Sequence, residues 1–177
     1  MKIVVITGSP HKQGTSALLT DRFIEGAKEA GHEVFRFDAS FSDVHACIAC
    51  ETCHTTKKGC VFKDSMETLN PYLLKADAVV FVSPTYYFGM SAQIKTVIDR
   101  FYANNSALKV SKKSALLMTC ADDTKEAAAG AVKSFEIMAD YLGWRNVGVI
   151  IAYGCGTRED IEKTRFPEKA FELGKAL

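Results

Sequence analysis

Short β-branched runs alternate with helical periods along nearly the whole chain, and this alternation limits the fold more than any other feature. The runs span Lys2 to Thr7, Glu33 to Ala39, Ala78 to Ser83, Ser114 to Cys120 and Asn146 to Tyr153, each bounded by turn residues. Between them, Ile94, Val97, Ile98, Phe101 and Tyr102 follow the i, i+3, i+4, i+7, i+8 spacing of a buried helical stripe, with Ser91 as its N-cap. Further helices are expected from about Thr15 to Ala30, stopped by Gly31, and from Thr124 to Leu142, stopped by Gly143. Another should run from Asp64 to Ala76, with Asp64 and Glu67 placed as a capping box. A last helix from about Asp160 should break at Pro167. Five strands, each followed by a helix, require right-handed crossovers and a parallel sheet covered on both faces. Ile3-Val4-Val5-Ile6 and Val79-Val80-Phe81-Val82 are apolar at every position, as strands without a wet face are. The expected architecture is α/β: a doubly wound, five-stranded parallel sheet in three layers.

With 177 residues, 47% of them apolar, the chain can bury one sizeable core, so residues 1–177 read as a single domain. No repeat, low-complexity tract or interdomain linker interrupts it. Lys and Arg number 22 against 21 Asp and Glu, a net charge of +1, so no basic stripe advertises nucleic acid or an anionic membrane. The N-terminus reaches Gly8 after only four strongly apolar residues, too few for a signal-peptide core or a membrane span, and a cytoplasmic location is expected. In that reducing setting clustered cysteines bind metal or do redox chemistry more often than they form disulfides.

Ligands of doubly wound sheets bind beyond the carboxyl ends of the strands where the strand order reverses, here between strands one and three. The first loop at that point is Gly8-Ser9-Pro10-His11-Lys12-Gln13-Gly14-Thr15-Ser16. Its hydroxyls, its glycines and the free amides of the following helix suit a phosphomonoester. Five residues separate Gly8 from Gly14, and Thr15 stands where a Walker lysine would, so this is not a nucleotide-triphosphate loop. A plain strand-to-helix turn, rich in Ser, Thr and Gly for capping alone, is the alternative. The second loop, Ser83-Pro84-Thr85-Tyr86-Tyr87-Phe88-Gly89-Met90-Ser91, puts three consecutive aromatics at the mouth of the sheet. They would expose costly apolar area unless they cover a planar ring or a partner subunit.

The segment from Ser40 to Lys63 is long for a connection inside a compact domain, and such loops are usually functional. It holds Cys47, Cys50, Cys53 and Cys60 in C-x2-C-x2-C-x6-C spacing. Cys50-x-x-Cys53-His54 matches a c-type haem attachment site, which leaves Cys47 and Cys60 unexplained. Structural zinc usually takes two C-x-x-C arms from separate turns. A single coiling loop suits a polymetallic iron-sulfur core, and free thiols are a further possibility. Cys120 and Cys155 read as core residues, His45 and His54 as solvated loop residues, and Asp122 and Asp123 as helix caps.

The pairing of "GSPHKQGTS" with "SPTYYFGMSAQIKTVIDRF" resembles the NADPH-dependent FMN reductase family of flavodoxin-like proteins, from Met1 to about Tyr153. The resemblance implies strand order 2-1-3-4-5 and bound FMN. Ser9, His11, Gly14, Thr15 and Ser16 would hold the phosphate, and Pro84, Thr85, Tyr86, Tyr87, Phe88 and Gly89 would border the isoalloxazine ring. The family often carries arginine where this chain has His11, which leaves the phosphate to amides, hydroxyls and Lys12, so weaker or pH-dependent binding is expected. The four-cysteine spacing is similar to that of the iron-sulfur flavoproteins, a branch of the same family, and implies a [4Fe-4S] cluster on Cys47, Cys50, Cys53 and Cys60. NAD(P)H or a ferredoxin would donate electrons, a small molecule or protein would accept them, and dimers or tetramers are expected. Two other classes stay open. One is a cluster-free NAD(P)H-dependent reductase of flavin, quinones or nitro-aromatics; the other is a non-enzymatic ligand-binding module with a zinc-stiffened loop.

Overall fold

The first strand, β1 (Lys2–Thr7), is buried from Ile3 onward, because helices cover both sides of it. The structure, a computed structural model, describes all 177 residues. After β1 come α1 (Thr15–Glu29), β2 (Glu33–Asp38), a 3₁₀ turn at Ala39–Phe41, α2 (Thr52–Thr55), α3 (Met66–Lys75), β3 (Ala78–Tyr86), β4 (Gly89–Met90) and α4 (Ala92–Asp99). The chain continues with a 3₁₀ turn at Arg100–Asn104, α5 (Asn105–Leu108), β5 (Lys113–Thr119), α6 (Glu126–Leu142), β6 (Arg145–Ala152), α7 (Arg158–Glu162) and α8 (Phe166–Ala176).

Five parallel strands lie in the order β2-β1-β3-β5-β6, the doubly wound arrangement expected from the flavodoxin-like resemblance. The sixth strand was not foreseen: β3 runs three residues past Ser83 and folds back on the two-residue β4 as an antiparallel hairpin. Pro84 is tolerated in β3 because β1 stops pairing at Val82, so the proline's missing N–H faces an open edge.

One face of the sheet packs Val4, Ile6, Val79, Phe81 and Leu116 against Leu69 and Leu73 of α3, Ile94 and Val97 of α4, and Phe135 of α6. The other packs Ile3, Val5, Val80 and Leu117 against Leu19 and Phe23 of α1 and Ala170 of α8. Phe23, Phe81 and Phe135 are completely buried, and burying each side chain contributes about 1.5–3 kcal/mol.

Helix ends depart from expectation in informative ways. Gly143 ends α6 in the left-handed conformation at φ 72°, as foreseen. The final helical stretch is two helices, and Pro167 sits in the first turn of α8, where its missing N–H costs nothing. The Asp64/Glu67 capping box does not form. Asp64 Oδ1 does accept from the Met66 amide, but Glu67 pairs with Lys63, and the rest of the Asp64 carboxylate is taken by Arg100 and the His45 amide. Ser91 precedes α4, yet its hydroxyl serves Gly8 and not the helix. No helix is long and apolar enough to cross a membrane.

Candidate functional site

The turn leaving β1 is held from three sides. The Gly8 amide donates to the Val82 carbonyl at 2.9 Å, and the Gly8 carbonyl accepts from Ser40 Oγ at 2.9 Å and Ser91 Oγ at 2.8 Å. A side chain at Gly8 would collide with Ser91 Oγ, so only glycine fits. Ser9 Oγ accepts from the His11 amide at 3.2 Å, and the Gly14 amide donates to the His11 carbonyl at 3.2 Å, curling the loop onto the start of α1. That start has no side-chain cap and no acidic residue in its first turn. The free amides after Gly14 therefore face outward with nothing to oppose an anion. Ser16 and Thr15 hydroxyls lie 2.8 and 3.0 Å from Thr119 Oγ1 at the end of β5, so a third strand end joins the site. His11 and Lys12 are exposed, with the Lys12 ammonium 4.8 Å from the centre of the Phe41 ring.

Opposite this loop, Pro84 is buried and Thr85 half-buried, whereas Tyr86, Tyr87 and Phe88 are exposed, Tyr87 fully. Tyr87 and Phe88 form the two-residue hairpin connection at φ 44° and 62°. Such turns favour Asn-Gly, and placing two aromatics in left-handed backbone costs about 1–3 kcal/mol each, strain that collects where a side chain is needed for a purpose. Thr85 Oγ1 is buried and has no partner. An uncapped helix start, an unpaired hydroxyl and exposed aromatic faces, on two loops joined by the Gly8–Ser91 hydrogen bond, are groups that could hold FMN.

The cysteine segment docks on the far end of α4. All four of Cys47, Cys50, Cys53 and Cys60 line one cavity of about 20 Å³ together with Phe62, Arg100 and Tyr102, space for one water and little more. Ala49 and Glu51, at φ 52° and 57°, flank Cys50 in left-handed backbone and bend the segment back on itself. Its anchors are specific. Tyr102 Oη donates to Glu51 at 3.0 Å, His54 Nε2 lies 3.0 Å from the Tyr102 carbonyl, and the His45 ring stacks on Phe62. Arg100 and Asp64 form an ion pair at 2.6 Å, their side chains 2% and 0% exposed, and Arg100 also donates to the His45 carbonyl at 2.7 Å. Thus His45 and His54, expected to be free in solvent, pin the loop while staying exposed.

Hydrogen bonds from Thr52 hold the Cys50 thiol below its ordinary range, while burial, reinforced by Cys60 and Cys50, pushes Cys53 up. As the thiols lie, no three Cys, His, Asp or Glu groups stand close enough to grip a single ion. The sulfurs share a cavity without converging on one point. A set of four soft donors around a common space, with Cys50 under hydrogen bonds from Thr52, has the donor chemistry of a thiolate-held cluster.

Cys120 and Cys155 are buried; Asp122 accepts from the Thr124 amide at 2.7 Å in the turn before α6, whose start has no side-chain cap, so neither Asp122 nor Asp123 caps that helix as expected. Sequence reasoning missed Thr119, Ser40 and the Arg100–Asp64 pair. Thr119 ends β5 and Ser40 lies in the 3₁₀ turn just after β2, so both are in principle findable; nothing local signals that Arg100 and Asp64 meet. A cleft of about 440 Å³ adjoins the cysteine cavity, sharing Cys47, Glu51, Asp99 and Tyr102 and extending to Met138 and Tyr141 of α6.

Residues 1–156 match the NADPH-dependent FMN reductase family. An iron-sulfur flavoprotein of Archaeoglobus fulgidus is 33% identical over 179 residues, which cover 100% of this chain and 79% of that protein. One of Methanocaldococcus jannaschii is 37% identical over 100 residues, 56% of this chain and 50% of that one, so the alignment spans only half of that relative. Among solved structures, an azoreductase from Bacillus anthracis superposes with a TM-score of 0.77 at 21% identity, covering 100% of both chains. An NAD(P)H:quinone oxidoreductase from Methanothermobacter marburgensis does so with 0.76 at 19%, covering 98% of this chain and 94% of the other. Likeness at that identity speaks for the fold alone. Sequence match and strand order agree: the chain belongs to the NADPH-dependent FMN reductase family, oxidoreductases, and its relatives within it include iron-sulfur flavoproteins.

Proposed function

We propose that the protein is an electron-transfer flavoprotein that takes electrons from NAD(P)H or a ferredoxin, holds FMN between its first and third strand ends, carries a [4Fe-4S] cluster on Cys47, Cys50, Cys53 and Cys60, and delivers electrons to a small-molecule or protein acceptor. The observation that carries this reading is the shared cavity: four cysteines from one strained loop line a single space in a chain of an FMN-dependent family. Bound FMN would supply the conversion between two-electron donors and one-electron carriers.

The chain's own residues have defined tasks in this reading. Ser9, Thr15, Ser16 and the amides after Gly14 hold the phosphate dianion, with His11 and Lys12 at its outer side. Pro84, Thr85 and Gly89 present backbone and hydroxyl groups to the ring edge, and Tyr86, Tyr87 and Phe88 exclude water from its face. No side chain need act as acid or base. Nine residues of helical rise, about 13 Å, separate Ser91 at the flavin crevice from Arg100 at the cysteine cavity, so a second copy of the chain that brings one group toward the other suits the exposed Tyr87 and Phe88. The cleft beside Cys47 offers a small acceptor an approach to the cluster side.

The separation of the sulfurs favours a second reading, a cluster-free NAD(P)H-dependent reductase in which the aromatic hairpin shapes the acceptor pocket. An optical spectrum of protein purified without oxygen, taken before and after dithionite with iron and acid-labile sulfide assayed alongside, separates the two. Flavin bands with a broad bleaching shoulder support the first reading; flavin bands alone, without sulfide, leave the second.

A further inference from the structure

Arg100 is the one charged side chain buried against the four-cysteine cavity, and its neighbours use only part of its donor capacity. Nη1 donates to the His45 carbonyl at 2.7 Å and to Asp64 Oδ2 at 2.6 Å, and Nη2 reaches Asp64 Oδ1 at 3.3 Å. Nε is buried and has no partner, in a residue that lines the same cavity as Cys47, Cys50, Cys53 and Cys60. The segment from Cys60 to Asp64 wraps the guanidinium: Asp64 pairs with it, Phe62 lies over it at 5.3 Å, and Cys60 lines the cavity beside it. Of the four sulfurs, that of Cys60 belongs to the segment the guanidinium already holds.

We propose that Arg100 is a positioning residue for the cluster site, its free Nε–H reserved for the Cys60 thiolate. The inference rests on the cluster reading above. A thiolate that accepts a charge-assisted hydrogen bond carries added negative charge at lower cost, so the reduced, more negative form of the site gains most and the reduction potential rises. Asp64 offsets the net charge of Arg100 but not a hydrogen bond made at the sulfur itself. It also fixes the guanidinium plane, so Nε stays aimed without an entropy cost on each redox event.

The test compares wild type, Arg100→Lys, and Arg100→Gln combined with Asp64→Asn, which removes the cation without leaving a lone buried carboxylate. Each is reconstituted anaerobically, assayed for iron and acid-labile sulfide, and titrated electrochemically with the cluster followed by electron paramagnetic resonance. In the loaded fraction the neutral double variant should show a reduced-to-oxidised ratio about tenfold lower at a fixed potential, which is about 59 mV for one electron. Arg100→Lys keeps the charge but loses Nε–H and should shift the same way by less. An unchanged ratio in the loaded fraction of either variant, even with poorer loading, overturns the proposal and leaves Arg100 a structural pin. Should the double variant take up no iron, Arg100→Lys decides by the same ratio. Wild type that binds neither iron nor sulfide overturns the cluster reading itself, a different outcome from a loaded site that does not shift.

Discussion

The Ser91 hydroxyl donates to the Gly8 carbonyl at 2.8 Å across 83 residues of sequence, tying the start of α4 to the turn that leaves β1. The proposed flavin site is built around this clamp, since the first loop departs from Gly8 and the aromatic hairpin closes just before Ser91.

Gly8→Ala should therefore damage both fold and ligand binding. The added methyl would strike Ser91 Oγ and lie 2.8 Å from Ile94 Cβ, a contact between side chains that packing holds in place. Overpacking of this kind costs about 1–3 kcal/mol. Urea unfolding should show that loss, and flavin fluorescence titration should show weaker FMN binding. Wild-type behaviour in both would mean that the clamp is loose.

The hairpin turn should trade stability for binding. Replacing Tyr87→Asn and Phe88→Gly together gives the left-handed positions residues that accept them. Relief of about 1 kcal/mol would raise the thermal midpoint of the apoprotein by about 2–4 °C in a chain of this size, while FMN affinity falls as the aromatic wall is lost. A lower midpoint would show that the two rings stabilise the turn and do not strain it.

Acid stability should depend on Asp64. Burial alone would raise its carboxyl, but hydrogen bonds from Arg100 and the His45 and Met66 amides outweigh burial and hold it below the usual carboxylate range. Because the folded value is the depressed one, the unfolded chain takes up the proton first as pH falls. Stability from this group is thus complete above the unfolded carboxylate range of about 4 and drains away as pH drops through the lower folded value. Urea midpoints measured from pH 7 to pH 2 should fall below about pH 4, less steeply in the Arg100→Gln, Asp64→Asn double variant. At neutral pH Asp64→Ala alone, which leaves Arg100 buried and unpaired, should cost about 3–5 kcal/mol.

Cys53→Ala should abolish iron and sulfide uptake while leaving FMN bound, because the cysteine cavity and the crevice share no residue named in either role. Metal analysis and flavin absorbance on the same sample check both halves. Loss of flavin along with iron would mean that the two sites are coupled through the loop.

Much of this architecture was legible in advance. All five parallel strands fell within a few residues of their expected limits, and the two loops expected at the reversal of strand order are tied together by the Ser91–Gly8 hydrogen bond. The failures have a common cause. Asp64 and Ser91 look like helix caps from their neighbours, yet each spends its side chain on a distant partner, because a buried cation or carbonyl offers a stronger claim than a solvent-exposed helix end. The β3–β4 hairpin was invisible because its turn holds Tyr-Phe where turn chemistry calls for Asn-Gly.

Sequence alone determined the doubly wound sheet, since apolar runs without a polar face can be satisfied only between two helical layers, and it singled out the loops proposed to carry the chemistry, since their hydroxyls, aromatics and cysteines are contiguous. Tertiary structure alone decided that the cysteine segment packs against the end of α4 and that a buried guanidinium stands beside it. Arg100 and Asp64 are 36 residues apart, and no local period connects them; only the closing of the core brings their charges out of water together and makes each the other's requirement.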